Sequence, residues 1–466
     1  MRLWIVILPL LLPFTLSAQE PQTSVAAAPL EPGKIIPRVI CAAHPDQSYA
    51  LYLPSGYSAD RKWPLLLSSD PAARGGLPLE LQKDAAEEMG YVLAASNNSR
   101  NGPGQARFEA TEATLNDVQA RVSIDTRRVY LAGFSGGARF SSQIALACKC
   151  SAGVLLDGAG FSNGQSLATD APFPVFSAVG ISDFNYSEVI PLQDALANAG
   201  YPHWLRVFNG AHEWAPAEVM QEAMIWLRVE AMKTSREPRD QAFLDAQFAK
   251  MQRRASSFEQ SGDLLSAWRE YRQLAATFDT LKDVSAWRAK ADALGKEKAV
   301  REALKHERDE FVEQAQLIAQ ITAHFDSSKA DTSERLEGDS ELREQIANLR
   351  MKAQQQKNPE RARVYQRALG GLFISAIEEG NSALERKNFA YAARVFDVAA
   401  QAKPDSEWAW RELAVAYALG GKKKDALSAL RKARDSSTDK AAFTRWLESE
   451  AAFETLRSAP EFRPLL

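Results

Sequence analysis

Glycines stand two residues before and two residues after the serine in Gly133-Phe134-Ser135-Gly136-Gly137. The apolar run Arg128-Val129-Tyr130-Leu131-Ala132 leads into it, and a helix-compatible stretch, residues 138–148, follows. Strand, glycine-flanked serine and helix describe a sharp turn that lifts a hydroxyl clear of the backbone for nucleophilic attack on a carbonyl. The turn is crowded, so its two flanking positions must be small. Chance alone supplies roughly 0.1 to 0.2 copies of Gly-x-Ser-x-Gly in a chain of this length. The reading therefore depends on the partners that the serine finds downstream.

Such a serine needs a general base to take its proton and a carboxylate to orient that base, met in the order Ser, Asp or Glu, His. Of the five histidines, His44 precedes the serine, and His306 and His324 lie in a highly charged helical region. His203 opens the expected strand His203-Trp204-Leu205-Arg206-Val207-Phe208, where a place at the strand edge accounts for it. His212 follows that strand in Asn209-Gly210-Ala211-His212-Glu213-Trp214, on the loop where a catalytic imidazole belongs. The run Phe173-Pro174-Val175-Phe176-Ser177-Ala178-Val179-Gly180 reads as the strand before it, and Asp183 on the loop it opens is the expected acid. Asp157, at the end of Gly153-Val154-Leu155-Leu156, is its rival. It sits one strand further from the histidine and could instead cap the Gly158-Ala159-Gly160 turn.

An acyl-transfer site also needs donors for the oxyanion, one being the N–H of the residue after the nucleophile, here Gly136. The second should come from the loop after Pro64-Leu65-Leu66-Leu67-Ser68-Ser69, which reads Asp70-Pro71-Ala72-Ala73-Arg74-Gly75-Gly76. Pro71 has no N–H to give. The donor is then a neighbour, Asp70 or Ala72.

With these residues the segment 38–232 resembles the α/β-hydrolase serine esterases related to polyhydroxybutyrate depolymerases and feruloyl esterases. The lead-in Tyr49-Ala50-Leu51-Tyr52-Leu53-Pro54-Ser55-Gly56-Tyr57 is similar to the opening of such esterases. The resemblance implies a sheet with helices on both faces, and ester hydrolysis through an acyl-enzyme on Ser135 with His212 as base and Asp183 as its orienting acid. Many relatives carry a histidine and glycines where this chain has Asp70-Pro71, so the resemblance does not fix the substrate class. The loop Ala95-Ser96-Asn97-Asn98-Ser99-Arg100-Asn101-Gly102-Pro103 falls after a strand, where its polar groups either face a cleft or simply turn the chain at the surface. A peptidase or acyltransferase could use the same triad.

The 466 residues, 45% hydrophobic and 25% charged, suffice for two or three domains with proper cores. A net charge of −3 without a basic stripe gives no electrostatic case for nucleic acid. The residue set calls for no cofactor, and the three cysteines with sparse histidines show no metal-ligand spacing. Met1-Arg2, an apolar run over residues 3–16 and Ser17-Ala18-Gln19 read as a signal peptide over 1–18, cleaved on export to the periplasm or beyond. A Pro/Ala-rich tether over 19–37 follows, and no later stretch reaches the ~18 apolar residues of a membrane span. In an exported protein Cys41 can pair with Cys148 or Cys150, leaving an odd thiol; unpaired, all three serve as small apolar residues.

Beyond residue 232 glycine and proline thin out, charges crowd in and the period becomes helical to the end. Ala392, Phe396 and Ala399 recur 34 residues on as Ala426, Leu430 and Ala433, beside Trp410, Leu413, Ala414 and Tyr417. This stretch, within 371–466, resembles tetratricopeptide repeats. A weaker echo near 248–281 sits in a charged helical region, 233–370, whose stretch 296–363 reads as a solvated helical hairpin or spacer. Repeat units bury their apolar faces only by stacking, so these helices pack on one another, on the hydrolase or on a protein partner. Trp410 falls at a packing position and leaves Trp408 free to be exposed. The expected substrate is a small-molecule or polymer-derived ester. The opposing expectation is a scaffold whose helices recruit a partner beside a vestigial hydrolase.

Overall fold

In a computed structural model the described residues are 30–102, 104–162, 166–167, 172–323 and 333–465, with the side chains of 333–339 set aside. The expected signal peptide, most of the tether and His324 lie outside them.

Eight strands form one sheet: β1 (Ile35–Ile40), β2 (Ser48–Tyr52), β3 (Trp63–Ser69), β4 (Val92–Ser96), β5 (Ile124–Phe134), β6 (Val154–Asp157), β7 (Val175–Gly180) and β8 (His203–Phe208). Their order is β1-β2-β4-β3-β5-β6-β7-β8. β2 runs antiparallel to β1 and β4, and every other pairing is parallel. Strands β3, β4, β6 and β7 are buried along their whole length, which is why they read as continuous apolar runs rather than alternating ones. The pleat still divides them. Leu66, Leu93, Leu155 and Phe176 enter a core with α1 (Gly76–Met89) and α5 (Ala217–Lys233), while Leu65, Leu67, Val154 and Val175 enter another with α2 (Gly104–Arg121), α3 (Gly136–Cys148) and α4 (Tyr186–Asn198). This is an α/β-hydrolase sheet with helices on both faces.

The remainder is helical: α6 (Gln241–Gln260), α7 (Leu264–Phe278), α8 (Ser285–Lys296), α9 (Lys298–Thr322), α10 (Ser333–Gln355), α11 (Pro359–Glu385), α12 (Phe389–Ala402), α13 (Glu407–Leu419), α14 (Lys423–Ser436) and α15 (Lys440–Ser449). Side-chain caps fix several of the starts. Asp240, Asp263, Asn358, Asn388, Ser406 and Asp439 each accept from a backbone N–H of the first turn they precede, satisfying donors that a helix leaves orphaned. Helices α11 to α14 pack in sequence, each on the next. The residues of the 34-residue pattern, from Ala392 and Phe396 to Leu430 and Ala433, are wholly buried between them. Trp410 is buried and Trp408 is 45% exposed.

The boundaries drawn from composition are not packing boundaries. β1 begins at Ile35, inside the span read as tether. Leu244 and Met251 of α6 and Leu274 and Phe278 of α7 join the same core as Trp226 of α5, so the chain passes residue 232 without leaving this packed unit. Residue 370 falls within α11, whose 27 residues run unbroken across it. The expected solvated spacer is also revised: α9 packs on α11, Ile321 is 4% exposed and Gln314 is 2% exposed. Its charges are matched rather than solvated on one face, with Glu307 accepting from Tyr186 and Arg269.

Cys148 and Cys150 form a disulfide with Cα atoms 5.0 Å apart, within bridging reach. Cys41 is free and buried, where burial pushes its thiol up to about 11. The expected pairing of Cys41 with one of the other two is thus corrected: it lies in the core beside Val39 and Tyr49, whereas the other two share a helix end.

Candidate active site

Ser135 links β5 to α3 with φ 53° and ψ −121°, a strained conformation for a residue that carries a side chain. The strain is held by neighbours. The Ser135 N–H donates to the Asp157 carbonyl at 2.8 Å, and α3 starts at once behind it. A Cβ on Gly133 would overlap the Gly137 carbonyl, and one on Gly137 would overlap the Ser69 carbonyl at the end of β3. We expect Gly137→Ala to lower stability by about 1–3 kcal/mol through overpacking, read as a shift of the urea midpoint.

The loop after β8 brings His212 over the serine. His212 Nε2 lies 2.8 Å from Ser135 Oγ, and Nδ1 lies 2.9 and 3.0 Å from Asp183 Oδ1 and Oδ2. The imidazole is held between the rings of Phe134 and Phe184, with centroids at 4.6 and 4.2 Å. Asp183 is wholly buried and also accepts from the Asn185 N–H at 2.8 Å. Burial raises its carboxyl above the ordinary value, while His212 opposes that shift.

Asp157, the rival acid, does not reach the imidazole. Its Oδ2 accepts from the Ala215 N–H at 2.5 Å, and Oδ1 has no partner among the described residues. Burial pushes its carboxyl well above the carboxylate range. It staples the end of β6 to the loop beyond His212. His203 is tied to the Tyr201 carbonyl at 2.8 Å at the start of β8, and His306 faces Glu310 and Glu360 on α9 and α11. Neither approaches Ser135.

A cleft of about 560 Å³ opens over Ser135 and Gly136. Asp70 is not among its lining residues. Its wholly buried carboxylate accepts from the Ala72 N–H, from Trp214 Nε1 and, through two atoms, from Arg74. Burial works against that charge, but Arg74 and Trp214 hold the carboxyl below its usual value. The Ala72 N–H is thereby occupied.

Asn101 lines the cleft instead. Its side-chain amide lies flat against Gly136, where a Cβ would meet Oδ1, Nδ2 and Cγ together. Its backbone is pinned by a 2.8 Å bond from its N–H to the Pro71 carbonyl, and its amide is without a partner among the described residues. The sequence flagged this polar loop without separating its parts. Asn97 and Asn98 tie it back to the sheet through Pro37 and Ser48, whereas Asn101 and Gly102 face the cleft. Arg107, which no sequence signal marked, donates to the Gly136 carbonyl at 2.9 Å and stacks 4.2 Å from the Phe140 ring centroid. Arg139, also on the cleft, is neutralised by a bidentate pair with Glu188 at 2.7 and 2.6 Å.

No protein-family model matches this chain, and no curated protein does. Among solved structures, an S-formylglutathione hydrolase from Staphylococcus aureus aligns at 14% identity and a TM-score of 0.34, covering 39% of this chain and 90% of its own. A ferulic acid esterase aligns at 16% identity and a TM-score of 0.33, over 41% of this chain and 94% of its own. The feruloyl esterase module from Clostridium thermocellum aligns at 16% and 0.32, over 38% and 81%.

Proposed function

We propose that this chain is an exported serine hydrolase acting on carboxylic esters. The observation that carries the reading is the continuous relay Ser135 Oγ, His212 Nε2, His212 Nδ1, Asp183 at the head of an open cleft. Ser135 attacks the acyl carbon as His212 takes its proton. The imidazolium, steadied by Asp183, returns that proton to the departing alcohol. Water, deprotonated by the same imidazole, then releases the acid from Ser135. The oxyanion is met by the Gly136 N–H and the free amide of Asn101, both on the cleft. The Asp70 N–H is the alternative second donor, and removing the Asn101 amide decides between them. Export rests on the N-terminal sequence and is supported by the Cys148–Cys150 disulfide, a bond that persists in oxidising compartments. No helix among the described residues is long and apolar enough to cross a membrane.

The test is fluorophosphonate labelling of the purified protein with p-nitrophenyl acetate turnover measured alongside. Both are expected in the wild type and absent in Ser135→Ala. A folded wild type that neither labels nor turns over would remove the hydrolase reading and favour the scaffold.

A further inference from the structure

The cleft over Ser135 has two walls from opposite ends of the chain. The near wall is hydrolase: Asn101, Ser135, Gly136 and Phe140. The far wall is built by Ala315 and Ile318 of α9 and by Gly371, Ile374, Ser375 and Glu378 of α11. We propose that these two helices select the substrate, confining this site to discrete small esters and excluding a polymer chain. The inference rests on the serine-hydrolase reading above and adds to it the substrate class and the residues that set it.

The far wall is fastened rather than resting in place. Four of the six residues of the Asp183 loop, 181–186, are gripped from the helical region. Arg367, 1% exposed, donates to the Ile181 carbonyl at 3.3 Å and to Glu310 at 2.6 Å, and its guanidinium lies 4.7 Å from the Tyr186 ring centroid. Ser182 donates to Gln366 at 3.1 Å, Gln314 donates to the Phe184 carbonyl at 2.8 Å, and Tyr186 donates to Glu307 at 2.8 Å. Close approach is built in as well. A Cβ on Gly371 would meet Ile318 Cδ1 at 2.6 Å, and one on Gly370 would meet Phe184 Cβ at 3.3 Å. Withdrawing the wall would break the four hydrogen bonds that join it to residues 181–186, leaving polar groups at the seam without their partners. Extended chains therefore meet a fixed obstacle.

The cleft volume, about 560 Å³, falls within the roughly 300–1,000 Å³ of sites that take a small molecule. Ile318 and Ile374 give the far wall an apolar middle, and Ser375 and Glu378 give it a polar margin. Those isoleucines and the serine line one cleft, so the acyl or alcohol group of a bound ester meets them. A polymer chain laid on the serine would meet α9 and α11 across the cleft.

The experiment uses the full-length protein with p-nitrophenyl acetate, butyrate and octanoate and with polycaprolactone particles. In the wild type kcat/KM should fall at least tenfold from butyrate to octanoate, with no acid released from the particles. Ile318→Ala and Ile374→Ala should each raise the octanoate-to-acetate ratio of kcat/KM about tenfold, the scale on which a methylene is sensed in an apolar pocket. Ser375→Leu, which fills space rather than opening it, should move that ratio the other way. Equal wild-type turnover of octanoate and acetate, release from the polymer, or a ratio indifferent to all three substitutions would overturn the proposal while acetate turnover left the hydrolase standing. Loss of acetate turnover and labelling in the wild type would remove the hydrolase itself and the proposal with it.

Discussion

Asp183→Asn is expected to lower kcat for p-nitrophenyl acetate by about 10⁴-fold with the fold intact. An amide at this position offers Nδ2 as a donor to His212 Nδ1, so the ring takes the tautomer with its proton on Nε2, facing Ser135. The serine then meets a donor where it needs an acceptor, and the developing imidazolium has no anion beside it. Thermal unfolding of the variant separates this from loss of structure. Asp157→Asn is the control. Asp157 accepts one backbone N–H from Ala215 and no imidazole proton, and an amide oxygen can accept that same bond. Its kcat should stay within about tenfold of wild type, since no charge interaction with the base is lost. A large loss at 157 with little at 183 would reverse the assignment of the acid.

Asn101→Ala should cost about 10²–10³-fold in kcat with KM little changed, the usual consequence of removing one oxyanion donor. The effect belongs in kcat because the developing oxyanion, not the ground-state carbonyl, is what the amide meets. Steady-state kinetics on p-nitrophenyl acetate read the split directly. Asn101→Asp, which keeps the shape and replaces both donors with acceptors, should be at least as slow. Unaltered turnover in both variants would return the role to the Asp70 N–H.

The residues that do local work were legible in the sequence, because a local constraint leaves a local pattern. Gly133, Ser135 and Gly137 satisfy the geometry of one turn within five positions. His212 and Asp183 follow from counting strands, since β7 and β8 are apolar runs whose ends can be read. What stayed hidden is long-range. Nothing near Arg367 announces that its guanidinium is buried against a carbonyl 186 positions earlier, and in a charge-dense stretch it reads as one more solvated cation. Ile318 and Ile374 appear as one face each of two helices, and periodicity shows that a face is apolar without saying what it covers. The Cys148–Cys150 bridge was missed for another reason. A spacing of two residues matches no metal-ligand pattern, and its pairing depends on how the chain turns at the end of α3.

The grip on the Asp183 loop also sets an order of events during synthesis. The bonds from Gln314, Gln366 and Arg367 to that loop span 130, 184 and 186 positions. A ribosome that has completed β7 and the Asp183 loop must still translate α4 through the start of α11 before the loop can be tied down. Contacts of such sequence separation form late, because the chain entropy of closing them is lost before they reward it. The half-made chain therefore holds its acid on an unfastened loop beside an unwalled cleft. The last contacts to form are those between α9, α11 and the Asp183 loop, so the helical array fastens the acid only once most of the chain is made.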